Sequence, residues 1–186
     1  QPTQGIWLGD QARVDVSGSA QILSDALGRR DGQVFDGGKV SVNADRGFFV
    51  SKAGSTINVS GSQAVLDVPV SSGLGVNYVA RSIGSHAGSI DITAAEGAII
   101  DGDMSARPGA ASGTAGGTLT VFLNTDTRSD PDIASSSFPA AQRTILLSQQ
   151  KQQPLGGSFA NPGDALPSAL NGKAYLSVSQ IENGGF

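Results

Sequence analysis

Gly88–Ile100 reads GSIDITAAEGAII, and earlier in the chain Gly38–Val50 reads GKVSVNADRGFFV. Placed in register, Val40-Ser41-Val42 falls on Ile90-Asp91-Ile92, Ala44 on Ala94, Gly47 on Gly97, and Phe48-Phe49-Val50 on Ala98-Ile99-Ile100. The same apolar–polar–apolar triplet recurs as Val14-Asp15-Val16, Ile57-Asn58-Val59, Leu119-Thr120-Val121 and Leu176-Ser177-Val178. Two copies run on into Ser-Gly, at Ser17-Gly18 and Ser60-Gly61. Alternation of this period sends successive side chains to opposite faces, so each triplet reads as a short strand with its aliphatic residues inward and its small polar residue outward. Strands this short are unstable alone. A chain that repeats them at intervals of one coil supplies the missing neighbour, because each turn templates the next.

A hairpin-built sandwich is the competing arrangement, and it calls for tight-turn dipeptides such as Asn-Gly between adjacent strands. The only Asn-Gly dipeptides are Asn171-Gly172 and Asn183-Gly184, both near the far end. The pattern therefore predicts an all-β parallel solenoid with glycine at corners where a positive φ is needed. Its interior is expected to hold Val14, Val16, Val40, Val42, Val50, Ile57, Val59, Ile90, Ile92, Ile100, Leu119, Val121, Leu176 and Val178. Coils are expected over residues 1–123, with a return to a coil at 172–186. About 138 residues at roughly 23 per coil would give about six coils, rising ~29 Å. Between them, 124–171 breaks the rhythm and holds Pro131, Pro139, Pro154, Pro162 and Pro167, which predicts one long irregular excursion from a corner. Within it, AAQRTILLSQQKQQ predicts a short helix stopped by Pro154.

Composition agrees with this reading. The 186 residues fit one domain, and 26 glycines with only 5% aromatic and 15% charged residues favour an interior of small branched side chains and frequent turns. Net charge is −4, and basic residues are scattered singly apart from Arg29-Arg30, so no basic stripe marks a nucleic-acid partner. The longest apolar runs, such as Ala64–Val70, fall far short of the ~20 residues of a membrane-spanning helix. The absence of cysteine excludes a disulfide framework and is compatible with export of an unfolded chain through a narrow pore. No initiating Met or signal-peptide pattern opens the sequence, so Gln1 reads as the start of an excised segment.

GGKVSVNADRGFFVSKAGSTINVSG, AGSIDITAAEGAIIDGDMSA, AGGTLTVFLN and AYLSVSQIENGGF resemble the repetitive shaft of filamentous-haemagglutinin-like exoproteins of Gram-negative bacteria. The resemblance covers roughly residues 5–124 and 172–186 and lies in repeated phrases. It implies a right-handed parallel β-helix and two-partner secretion through an outer-membrane pore to the cell surface. It also implies a role in adhesion, biofilm or contact-dependent toxin delivery. The partners implied are a host or bacterial surface receptor or glycan, and neighbouring coils of a longer parent chain. The family's secretion module carries an Asn-Pro-Asn-Leu type motif, and the nearest phrase here is Asn161-Pro162-Gly163-Asp164, so the resemblance points to the shaft.

Signals for chemistry are sparse, and the sequence marks no catalytic, cofactor-binding or metal-binding residue. His86 is the only histidine and reads as a turn residue, and no nucleophile elbow or phosphate loop occurs. Asp101, Asp103 and Glu96 are the carboxylates that glycoside hydrolysis would need, although Asp-Gly-Asp is also ordinary turn chemistry. Asn124, Asp126, Asp130 and Asp132 form an oxygen-rich run without the spacing of a calcium loop. Trp7 and Phe48-Phe49 are candidates for sugar stacking but sit among aliphatic residues, which favours packing. QQKQQ reads as a solvated segment. The leading expectation is a structural and interaction protein rather than an enzyme. A carbohydrate-active enzyme or glycan-binding module, with the excursion as one wall of a cleft, is the alternative.

Overall fold

The computed structural model describes residues 5–45, 47–73, 75–124, 142–155 and 161–186. Those residues form an all-β fold with one short α-helix and one 3-10 turn, Ser168–Leu170. Three parallel sheets carry the core. The first orders β1 (Gly5–Leu8), β6 (Phe48–Ser51), β11 (Gly97–Ile100), β15 (Lys173–Ser177) and β14 (Thr144–Ser148). The second orders β2 (Arg13–Asp15), β7 (Thr56–Asn58) and β12 (Asp103–Ser105). The third orders β5 (Lys39–Ala44), β10 (Ser89–Ala94) and β13 (Thr118–Leu123). From β1 to β13 the chain visits first, second and third sheet in unchanging order, three times over. Like residues then stack: Val40, Ile90 and Leu119 form one row, and Val42, Ile92 and Val121 the next.

Three passes replace the six coils expected, because two passes contain an antiparallel hairpin that triplet spacing had counted as coil. The hairpins are β3 (Ala20–Ser24) with β4 (Arg30–Val34), and β8 (Gln63–Ser72) with β9 (Gly75–Gly84). Neither uses Asn-Gly. The first turns on Asp25, whose carboxylate accepts the main-chain N–H groups of Leu27 and Arg29, with Gly28 at φ +76°. Asn171-Gly172 instead enters β15, and Asn183-Gly184 lies in the last turn of the helix. The two hairpins meet where Asp67 accepts the Arg30 main-chain N–H at 2.7 Å and its guanidinium at 2.9 Å.

The repeat register holds in the third sheet, where Val40 pairs with Ile90 and Ala44 with Ala94. In the first sheet it slips by one: Phe48 pairs with Gly97, Phe49 with Ala98 and Val50 with Ile99. The corner before β11 is one residue shorter than the corner before β6, and Gly97 leaves room for the Phe48 ring, which would lie 2.7 Å from a Cβ there. Close approach also explains glycine at the Ser-Gly corners. A Cβ on Gly18 would sit 2.3 Å from the Phe35 carbonyl oxygen, and one on Gly61 2.4 Å from that of Ser85. At these corners the need is for backbone contact between passes rather than for positive φ.

Ile57, Val59, Ile90, Ile92 and Ile100 are buried in the central core with Phe49 and Met104, while Val14, Val40, Val42, Leu119, Val121 and Leu176 pack against it half-buried. Val16 is 36% exposed, since it lies in the first pass and no described pass precedes it. Val50 is buried on the opposite face of the first sheet, in a second cluster with Phe48, Ile99, Leu155 and Leu170, flanked by Trp7, Leu166 and Tyr175. The excursion is thus not a detached loop: its Leu155, Leu166 and Leu170 cover the outer face of that sheet.

The short helix expected within the excursion is instead the strand β14, with 140–141 outside the described residues. Pairing of Thr144–Ser148 with Lys173–Ser177 supplies inter-strand hydrogen bonds that outweigh the modest helical preference of Leu and Gln. β15 then fills the place between β11 and β14. Residues 172–186 return to a coil only as far as Ser177. Val178, expected inside a strand, begins α1 (Val178–Gly184). Ser177 and Gln180 form a reciprocal capping box, and Gly185 at φ +85° closes the helix. Gln180 also donates from Nε2 to the carbonyls of Ile100 at 2.7 Å and Gly102 at 2.9 Å, taking the place of a further strand.

Candidate functional site

A polar groove of about 490 Å³ opens where the excursion passes β12 and α1. One wall is Gln150-Lys151, the other is Arg107 with Asn183, and Asp103, Ser105 and Ser179 line the space between. Each wall is fixed by the fold. The Lys151 ammonium donates to Asp103 Oδ1 at 2.6 Å and to the Asp101 carbonyl at 2.9 Å, tying the excursion to the corner before β12. The Arg107 guanidinium donates through Nε and Nη2 to the Asn183 carbonyl at the end of α1, at 3.1 and 2.8 Å.

These contacts leave spare hydrogen-bonding capacity. Lys151 keeps a third N–H, Asp103 its other oxygen and Arg107 its Nη1, and the side-chain amides of Gln150 and Asn183 have no partner among the described residues. Two cations against one carboxylate give the groove a net positive character. Alternating donors and acceptors of this kind match hydroxyl pairs, and the surplus cation matches a carboxylate or sulfate. No aromatic ring lines the groove, so what it offers a ligand is hydrogen bonds and charge.

The sequence candidates fall as follows. Asp103 enters the groove, exposed and paired with Lys151. Asp101 is only 9% exposed, and burial pushes its carboxyl above the ordinary range, opposed in part by the Lys151 charge. Glu96 lies at the opposite end of β11, where its carbonyl accepts the Gly172 N–H, so the three carboxylates do not form one cluster. His86 is an exposed corner residue whose Nδ1 accepts the Ala115 N–H at 3.0 Å, while its main-chain N–H donates to Asp36. Phe48 and Phe49 are buried on opposite faces of one strand, and Trp7 packs on the outer cluster.

Asn161 and Asp164 close a turn on each other, with Gly163 at φ +95°. Asp126, Asp130 and Asp132 lie outside the described residues, as does Arg46. Among the described residues no group of three or more His, Asp or Glu is close enough to hold a metal, and no helix is long and apolar enough to cross a membrane.

Sequence reasoning missed Lys151, Arg107, Gln150 and Asn183. Three separate stretches meet in the groove, and none carries a local motif; the lysine inside QQKQQ was the one visible mark. Compared with protein-family models, curated proteins and solved structures, the chain matches none.

Proposed function

We propose that the chain is a length of a secreted, cell-surface adhesin of a Gram-negative bacterium, with its three parallel sheets as the faces of a right-handed parallel β-helix. The supporting observation is the like-on-like register, in which Val40, Ile90 and Leu119, and then Val42, Ile92 and Val121, follow one another between sheets visited in fixed order. Such stacking suits a shaft that grows by adding coils. The family resemblance supplies the rest of the reading: export through an outer-membrane pore, then adhesion, biofilm or contact-dependent delivery.

A glycan-binding module on the same scaffold is the second reading, and the Lys151–Arg107 groove favours it over a carbohydrate-active enzyme. A hydrolase would need two free carboxyl groups facing one bond. Here Asp103 is held by Lys151 and Asp101 is buried.

Beads coated with the protein provide the test. Saturable attachment to host epithelial or bacterial cells, blocked by soluble surface glycans and weakened by Lys151→Glu, supports the adhesin. Attachment no better than albumin-coated beads, together with release of new reducing ends from polysaccharide, refutes it.

A further inference from the structure

The polar groove between the excursion and α1 lies on the outer face of the second sheet. Met104 of β12 is buried in the core, so its neighbours Asp103 and Ser105 point sideways, away from the stacking axis. A coil added along the axis would stack on α1, not on this face.

Each wall has part of its hydrogen-bonding capacity committed and part free. The Nε–Nη2 edge of Arg107 is taken by the Asn183 carbonyl. What is left is the end of the guanidinium, Nη1 with the second N–H of Nη2, two donors in one plane. Such an edge fits the two oxygens of a carboxylate. Across the groove, Lys151 spends two of its three N–H groups on Asp103 Oδ1 and the Asp101 carbonyl. Its remaining N–H and the second oxygen of Asp103 set a donor beside an acceptor, with Gln150 next to them. A pair of neighbouring hydroxyls satisfies both, one accepting and the other donating.

We propose that the groove binds an acidic saccharide through a uronate residue, its carboxylate on the free edge of Arg107 and two ring hydroxyls on Lys151 and Asp103. The inference rests on the glycan-binding reading of this groove and adds the class of sugar. Charge agrees, since Lys151 and Arg107 against Asp103 leave one surplus cation, the complement of one carboxylate. A sulfate ester spreads three terminal oxygens tetrahedrally, and a planar edge meets two of them. An acidic peptide would bring apolar side chains as well, whereas the described residues that line the groove include no apolar side chain but Met104.

The probe is a trimer of galacturonate titrated into isotope-labelled protein, beside its methyl ester, which keeps the hydroxyls and removes the charge. Saturable binding of the trimer with a Kd at or below about 1 mM is expected, with amide shifts at Arg107, Lys151 and Asn183. The ester should bind at least about tenfold more weakly. Arg107→Lys keeps the charge but loses the planar edge, and should weaken the trimer at least about tenfold while leaving the ester unchanged. Because Arg107 also holds the end of α1, Lys151→Gln is the second variant, and it should weaken trimer and ester alike. Equal binding of trimer and ester overturns the uronate and leaves a glycan groove standing. Tighter binding of a sulfated trimer, or equal binding of tetraglutamate, overturns it in favour of that ligand. Binding that shifts amides elsewhere, or that neither variant weakens, overturns the site. No saturable binding of any saccharide by about 10 mM overturns the proposal together with the glycan-binding reading.

Discussion

Ile92→Ala probes the stacked core in its middle pass. Ile92 is 1% exposed and lies between Val42 of β5 and Val121 of β13. Removing about three methylene equivalents at ~0.8 kcal/mol each costs ~2.4 kcal/mol of transfer free energy. A cavity of ~60 Å³ that fails to collapse adds ~1.4 kcal/mol at ~24 cal/mol per Å³. The expected loss is therefore about 3–4 kcal/mol, a urea midpoint lower by ~1.5–2 M at a slope near 2 kcal/mol/M. Val42→Ala and Val121→Ala occupy the same row but are only half-buried, at its two ends. Each removes two methylene equivalents with part of their surface already wet, and should cost about 1 kcal/mol. Urea unfolding followed by far-UV circular dichroism gives all three values. Equal losses at the three positions would refute the reasoning, since a row of residues stacked along an axis must be most enclosed in the middle.

Asp101→Asn should stabilise the protein by about 1 kcal/mol at neutral pH, because a buried carboxylate without a hydrogen-bond donor is replaced by a neutral group. Its folded pKa is raised, so the wild-type carboxyl favours the fold when protonated and opposes it once ionised. The gain from Asn should therefore vanish below about pH 4 in thermal melts taken across pH. Asp67, held low by hydrogen bonds from Arg30, works in the opposite sense: its stabilisation is present above the unfolded-state value and is lost as pH falls through the folded one. Asp67→Asn should accordingly flatten the acid limb of the hairpin's amide-exchange profile. Gln180→Ala should cost about 2–3 kcal/mol by leaving the Ile100 and Gly102 carbonyls without a donor, and Gln180→Glu should cost more, as chemical denaturation would reveal. Leu170→Ala, opposite Phe48 and Val50, should cost about 2–3 kcal/mol, whereas a freely dangling excursion would make it silent in the same assay.

Much of the core was legible in the sequence because the triplets carry their own periodicity. Val40-Ser41-Val42, Ile90-Asp91-Ile92 and Leu119-Thr120-Val121 do stack, and the small polar residue of each points outward, where Asp91 meets Lys39 at 2.6 Å. The hairpins were not legible, since Asp25–Arg29 builds its turn from an Asp side chain and one glycine rather than from Asn-Gly. β14 reads locally as helix and is strand only because β15, brought from beyond the excursion, lies beside it.

The terminal helix did carry a signal. Ser177-Val178-Ser179-Gln180 is a capping box and Gly184-Gly185 a stop, but the apolar alternation of Leu176-Ser177-Val178 masked both. The groove is hardest to see, because Lys151, Arg107 and Asn183 come together only through the long return of the excursion.

The absence of cysteine allows the stacking itself to be measured by site-directed spin labelling. Ser41 and Thr120 are both exposed on the outer face of the third sheet, and Asp91 lies between them. With Ser41→Cys and Thr120→Cys labelled, the account predicts strong dipolar broadening in frozen solution, for a backbone separation of two strand spacings, ~10 Å. A spectrum equal to the sum of the two single-label spectra would place the strands apart and contradict the stacked arrangement.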